Sequence, residues 1–408
     1  MVVPFPPGGV RGGPPIFAAM KYYLIAGEAS GDLHGSNLVK ELKKLDAGAD
    51  IRCWGGDLME AAGATVVKHY RDLAFMGFIE VLANLRTILS NLAFCKVDIA
   101  AFGPDVVVLI DYPGFNLRIA RWAKEKGLKV IYYISPQVWA WKESRVKGIR
   151  QWVDKMLVIL PFEKAFYQQW DYKVDYIGHP LVQVIDEAIR EKTDQPLQCL
   201  QPATGEAVLL SAGDAATEVI ALLPGSRKQE IRIKLPLMLE AATHFPNYRF
   251  IVAQAPGQPA AFYSEMLAGS PNVLLATTGE TYALLTKARA ALVTSGTATL
   301  ETALFGLPQV VCYKGSPVSY QIAKRLIKIK YISLVNLIMD KPVVTELIQT
   351  DLTAANIQAE LEAILSNEAR IARMKEDYRN LKALLQKEGN ASARAAQEIV
   401  GFLQGAVT

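Results

Sequence analysis

From Tyr22 onward, short apolar runs rich in β-branched and aromatic residues alternate with longer amphipathic segments. Runs of four to six such residues predict buried strands, and apolar positions recurring at helical spacing predict the segments between them. Strands are expected at 22–26, 51–54, 105–110, 129–134, 156–159 and 174–177, with helices at 32–45, 78–94, 116–126, 142–152 and 163–170. The rhythm breaks near Ile185. Residues 190–218 carry little periodicity and read as a linker or domain edge. A second series then places strands at 219–223, 249–253, 273–275, 290–293 and 309–313, and the tail reads as three helices at 352–366, 368–386 and 391–403. Strands alternating with helices predict α/β architecture with parallel sheets covered on both faces.

The 408 residues exceed one ordinary core, which agrees with two such series. The expected division is 1–19 as an extension, 20–187 and 188–366 as two domains, and 367–408 as helices packing back on the first domain or a partner subunit of a homodimer. The extension, MVVPFPPGGVRGGPPIFAA, has no continuous apolar segment of the kind a signal peptide needs. Arg86 and Lys96 bracket the greasy TILSNLAFC segment, so no run reaches the roughly 18–20 residues that cross a bilayer. A net charge of +4 is too small to argue for nucleic acid. Four scattered cysteines without CxxC spacing read as reduced core thiols in a cytoplasmic protein.

Ligands of such sheets lie beyond the carboxyl ends of the strands, so the loops there are the candidates. After the first strand, AGEASGDLHG offers small residues for close approach of a sugar, with Glu28, Ser30 and Asp32 as partners for its hydroxyls; a plain tight turn is the alternative. DVVVLI delivers Asp111 on a rigid element, as a general base requires; the alternative is a helix cap. In SPQVWAW, Gln137 and Trp139 suit either a sugar platform or a hydrophobic plug. His179 follows the last strand of the first series. In the second series, LLPGSR places Ser226 and Arg227 at a helix mouth, where a guanidinium can hold phosphate oxygens. TSGTATLE offers Ser295, Gly296, Thr297 and Thr299 at a second helix N-terminus, a natural anion site, with Glu301 one turn further on. No histidine pair has metal-ligand spacing, so neither a metal nor a cofactor is expected.

AGEASGD, MGFIEVL, DYPGFN, SPQVWAW, LPFEKAFY, GHP, LLPGSR, SGTATLE and KRLIKIKYISLVNLI together resemble the motifs of the lipid-A-disaccharide synthase family, over residues 20–347. The resemblance implies a GT-B fold, two Rossmann-like domains with parallel sheets facing a central cleft. It implies an inverting transfer of 2,3-diacylglucosamine from its UDP carrier to 2,3-diacylglucosamine 1-phosphate, giving the β-1′,6-linked disaccharide and UDP. It also implies roles: Asp111 as base, Arg227 as phosphate contact and Asn336 as the functional asparagine of SLxNL; Glu301, by its position, is well placed for the ribose hydroxyls. Gly114 departs from the pattern, because members of the family often carry a second acid there. Both substrates are acylated. The apolar stripe through Phe78, Val81, Leu82, Leu85, Ile88, Leu89 and Leu92, widened by Phe75, Met76 and Ile79, and the basic residues Lys324, Arg325, Lys328 and Lys330 therefore predict peripheral association with the inner membrane. The competing readings are a UDP-sugar 2-epimerase or peptidoglycan glycosyltransferase of the same fold, or a non-catalytic lipid or nucleotide binder.

Overall fold

The computed structural model describes residues 19–73, 85–202, 204–210, 218–270, 272–315 and 330–405. The acyl-patch residues 75–82 and the basic residues 324–328 fall outside them. The described chain forms two compact units. One comprises the chain through Pro136, Lys147–Leu157 and the chain from Ser392; the other comprises Gln137–Val146 and Val158–Ala391.

The first unit is built on β1 (Lys21–Ala26), β2 (Asp50–Gly55), β3 (Thr65–His69), β4 (Val106–Ile110), β5 (Lys129–Tyr133) and β6 (Lys155–Val158), in the order β3-β2-β1-β4-β5-β6. The strand pairs are parallel. The five residues of β4 are completely buried, as a strand covered on both faces must be. Helices α1 (Ala29–Leu45), α2 (Asp57–Ala61), α3 (Leu85–Phe102) and α4 (Pro113–Glu125) supply part of that cover. Because β1 pairs with both β2 and β4, strand order reverses at β1/β4, and the loops leaving these strands diverge there. Ala26 stands opposite Ile110, so the loops at 27–28 and 111–112 start side by side.

Around Trp139 and Trp152 the chain forms α5 (Val138–Trp141) and α6 (Val146–Trp152), and beyond β6 it forms α7 (Glu163–Gln168), a two-residue β7 (Asp175–Tyr176) and α8 (Leu181–Lys192). The second sheet has the order β15-β14-β13-β10-β11-β12-β8-β9. Its strands are β8 (Leu197–Leu200), β9 (Ala207–Leu210), β10 (Glu218–Leu223), β11 (Tyr248–Ala253), β12 (Val273–Ala276), β13 (Ala288–Thr294), β14 (Gln309–Tyr313) and β15 (Thr345–Ile348). The helices between and after them are α9 (Lys228–Ala242), α10 (Ala260–Leu267), α11 (Thr281–Lys287), α12 (Thr297–Leu304), α13 (Leu334–Met339), α14 (Ala354–Ser366) and α15 (Glu368–Gln386). Here the reversal lies at β10/β13, whose ends coincide with Leu223 opposite Val293.

One expectation is corrected. The weakly periodic 190–218 stretch is not simply a linker. It contains the hairpin β8–β9, antiparallel within itself and antiparallel to β12, so the second sheet is mixed rather than purely parallel. Alternation in Leu197, Gln198, Cys199 and Leu200, with only Leu197 and Cys199 fully buried, is the period-2 signal of an edge element. The last helix, α16 (Ala391–Gly405), belongs largely to the first unit, where Glu398 meets Lys155 at 2.8 Å. The four cysteines are free and buried, and burial pushes the thiols of Cys53, Cys199 and Cys312 up to about 12. Among the described residues no helix is long and apolar enough to cross a membrane.

Candidate active site

At the first reversal the backbone is unusual. Asp111 and Tyr112 have φ of 44° and 48°, and Ile134, just past β5, has 66°. Left-handed geometry at bulky residues costs on the order of 1–2 kcal/mol each and persists only where neighbours impose it. The neighbours are identifiable. Buried Asn116 donates through Nδ2 to the carbonyls of Asp111 (2.8 Å), Ile110 (3.2 Å) and Ile25 (3.3 Å), and the Tyr132 hydroxyl donates to the Asp111 carbonyl at 2.5 Å. The Tyr112 ring lies where a Cβ on Gly27 would be, 2.4 Å away, so only glycine lets the two loops approach this closely. Helix α4 begins at Pro113 with Tyr112 at its N-cap, which leaves Asp111 outside the helix and without a capping role.

The Asp111 carboxyl is held up at about 7, first by burial and then by the negative charge of Glu28. A base poised near neutrality transfers protons efficiently at working pH. Glu28 sits at the N-cap of α1, and Ser30 is exposed in the first turn. The space beside Gly114 is open, and Glu28 is the carboxylate that acts on Asp111.

Three sequence-based assignments change. Asp32 is 2% exposed, and its carboxylate accepts the N–H groups of Gly56 (2.8 Å), Leu58 (3.1 Å) and Met59 (3.1 Å). It caps α2 and is not available to sugar hydroxyls. Trp139 is a plug rather than a platform: its indole N–H donates to buried Glu163 (3.2 Å), and its ring meets Phe162 edge-on at 4.9 Å. Gln137 beside it is exposed. His179 is buried, and its Nδ1 accepts the Leu181 N–H at 3.2 Å at the start of α8, which is a structural contact.

At the second reversal two turns lie next to each other. Gly225 (φ 122°) opens room that the Glu230 side chain fills, its Oε2 lying 2.6 Å from where a Cβ would stand. Ser226 and Arg227 are exposed, with Arg227 at the N-cap of α9 and its Nη1 3.5 Å from Glu230. In the neighbouring turn Gly296 has φ 150°, and both Gly296 and Thr297 are exposed at the mouth of α12. An exposed guanidinium at one helix mouth and the exposed N-terminus of a second helix are groups that attract anions. Ser295 faces differently, donating to the Ile332 carbonyl at 2.9 Å. Thr299 is fully buried and its hydroxyl returns to the Gly296 carbonyl (2.8 Å), so it shapes the turn. Glu301 accepts the Tyr282 hydroxyl at 3.0 Å, and burial raises its pKa.

Asn336 also changes role. Its Oδ1 accepts from Val343 (2.8 Å) and Val344 (3.0 Å), and its Nδ2 donates to the Val344 carbonyl and to Glu346, both at 2.9 Å. Every side-chain hydrogen-bonding position is filled within the protein, so Asn336 braces the 343–346 backbone. Two groups here escape sequence reading. Lys234, on α9, is 2% exposed, and burial lowers its pKa against the pull of Glu230. Glu346 collects bonds from residues more than ten positions away, which no local pattern reveals. Among the described residues no group of three or more His, Cys, Asp or Glu is arranged to hold a metal.

The fold is shared by solved structures of two reaction types. A glycosyltransferase from Streptomyces nogalater superposes with a TM-score of 0.57 at 18% identity, covering 94% of this chain and 100% of that one. A UDP-GlcNAc 2-epimerase from Neisseria meningitidis, bound to UDP-GlcNAc, gives 0.62 at 14%, covering 95% and 100%. Fold alone therefore leaves the reaction open. Sequence closes it: the lipid-A-disaccharide synthetase family matches residues 22–400. The chain belongs to the lipid-A-disaccharide synthase family. The synthase of Syntrophus aciditrophicus is 40% identical over 380 residues, covering 91% of this chain and 95% of that protein. That of Geobacter metallireducens is 37% identical over 384 residues, covering 93% and 96%. The chain is thus a GT-B glycosyltransferase of two Rossmann-like domains that forms the lipid A disaccharide from a UDP-sugar donor and a lipid acceptor.

Proposed function

We propose that the chain transfers 2,3-diacylglucosamine from its UDP carrier to the primary hydroxyl of 2,3-diacylglucosamine 1-phosphate in one inverting step. The half-buried, conformationally constrained Asp111 carries this reading. Its carboxylate takes the proton of the acceptor hydroxyl, whose oxygen forms the bond to the anomeric carbon while the bond from that carbon to the UDP oxygen breaks. Negative charge gathers on the departing diphosphate, where Arg227 and the N–H groups at Gly296 and Thr297 are suited to stabilise it; fixed donors aimed at developing charge often dominate catalysis. Glu28 keeps Asp111 basic by opposing its ionisation. Glu301 is our candidate for the ribose hydroxyls, and Ser30, Gln137 and Ser226 are exposed polar candidates for the sugars.

The test is UDP release from UDP-2,3-diacylglucosamine with and without the monosaccharide acceptor. Release that depends on acceptor, with a β-1′,6-linked product, is the expected result. Release without acceptor, or epimerisation of a water-soluble UDP-sugar, would overturn it.

Peripheral association with the inner membrane belongs to the same proposal. On α3, Leu89, Phe94 and Val97 are 57%, 48% and 68% exposed, and Arg86 on the same helix is exposed too. Apolar side chains flanked by a cation suit an anionic lipid surface. Co-sedimentation with phosphatidylglycerol vesicles at low salt, lost at about 0.5 M salt where the Debye length has shrunk to roughly 4 Å, is the expected outcome. Equal recovery in the supernatant at both salt concentrations would remove the membrane from the reading.

A further inference from the structure

Glu346 lies on β15, an edge strand, with β14 between it and the turn that follows β13. Its two carboxylate oxygens accept four hydrogen bonds. Oε1 takes the Ser333 N–H (2.9 Å), the Ser333 hydroxyl (2.7 Å) and Asn336 Nδ2 (2.9 Å); Oε2 takes the Ile332 N–H (3.1 Å). Four charge-assisted donors on one carboxylate make a strong and directional anchor. Ile332 is gripped on its other side as well, because its carbonyl accepts the Ser295 hydroxyl at 2.9 Å. One residue therefore connects β15 to the mouth of α12, held at its N–H by Glu346 and at its carbonyl by Ser295.

This connection matters because the neighbouring residue in that turn, Gly296, has a φ of 150° that only glycine adopts readily. The turn therefore has alternatives open to it and needs outside support to keep its N–H groups pointing outward. Asn336 contributes to the same anchor, bonding Glu346 while clasping the 343–344 backbone. The SLxNL asparagine thus supports the same anchor.

We infer that Glu346 is a positioning residue for the leaving diphosphate, acting through Ile332 and Ser295 to fix the Gly296–Thr297 turn. The inference rests on the reading that this turn holds the diphosphate. Glu346→Gln keeps an acceptor for Ser333 and Asn336 but turns an NH2 towards the Ile332 N–H, so it breaks that link alone.

Titration calorimetry with UDP and with uridine, which lacks phosphates, separates the possibilities. Glu346→Gln should weaken UDP about 10-fold, the scale of one lost hydrogen bond to a charged group, and leave uridine unchanged. Ser295→Ala, which cuts the other grip and leaves Glu346 untouched, should do the same. The double variant should be little worse than either single one, because both act on one connector. Wild-type UDP affinity in Glu346→Gln, equal weakening of UDP and uridine, or a roughly 100-fold multiplicative loss in the double variant would overturn the positioning role. Were the wild-type protein to bind uridine as tightly as UDP, the diphosphate reading itself would fall, a result distinct from each of those. Ser295→Ala alone decides the matter if Glu346→Gln does not fold.

Discussion

Asp111→Asn is expected to lower kcat about 10³-fold while leaving the Kd for UDP within about twofold of wild type, since a positioned base contributes roughly 10²–10⁴ and touches the acceptor rather than the nucleotide. The wild-type rate should rise with pH and level off above about 7, where the Asp111 carboxyl has ionised. The Asn variant should show no such rise. Stability moves the opposite way. The folded pKa of about 7 lies above the ordinary 3.8 of an aspartate, so between those values the folded state binds more protons than the unfolded one. Stability is therefore fully present below about 4 and is lost as pH climbs towards 7. Replacing the buried carboxylate with a neutral amide should restore on the order of 1–2 kcal/mol at pH 8, seen as a raised Tm. A variant that stays active, or is inactive and less stable, would show that Asp111 is not a strained, ionisable base.

Arg227→Ala should lower kcat/KM by about 10²–10³, the loss typical of one donor to a developing anion. The residue is exposed, and its 3.5 Å contact with Glu230 is a surface pair worth little, so Tm should move by less than about 2 °C. Lysine in its place should recover only part of the activity, because a point charge lacks the planar fork that meets two phosphate oxygens. UDP affinity should drop with the rate, and uridine affinity should hold. Equal losses for UDP and uridine would relocate Arg227 from the diphosphate to the base or ribose.

The parallel strands were legible because burial on both faces leaves continuous apolar runs such as 106–110, and β14 at 309–313 and α15 at 368–386 coincide with the pattern. Elements with mixed chemistry were not legible. β15 reads Thr-Glu-Leu-Ile, and its glutamate is satisfied by partners remote in sequence; β3, Thr-Val-Val-Lys-His, is only half-buried. The candidate site divides the same way. Asp111 and Arg227 stand at strand ends or helix mouths, positions that follow from alternation alone. Asp32, Thr299 and Asn336 also stand in the first turns of helices, yet their polar atoms are consumed by backbone groups, remote in sequence for Asp32 and within the same turn for Thr299. Sequence spacing cannot distinguish a carboxylate facing solvent from one facing three backbone N–H groups. The left-handed pair at Asp111 and Tyr112 was hidden for a related reason: no glycine marks it, and Asn116 and Tyr132 impose it from outside.

Helix α16 has a consequence for how the molecule is made. It belongs to the unit of the first sheet, although the whole of Val158–Ala391, in the other unit, is synthesised before it. At about 5–20 residues per second, ribosomes take roughly tens of seconds over that interval. Throughout it, the first sheet exists without the helix whose Glu398 meets Lys155 and whose Phe402 lies 6.0 Å from the Lys129 ammonium. The unit that begins the chain is therefore the last to be completed.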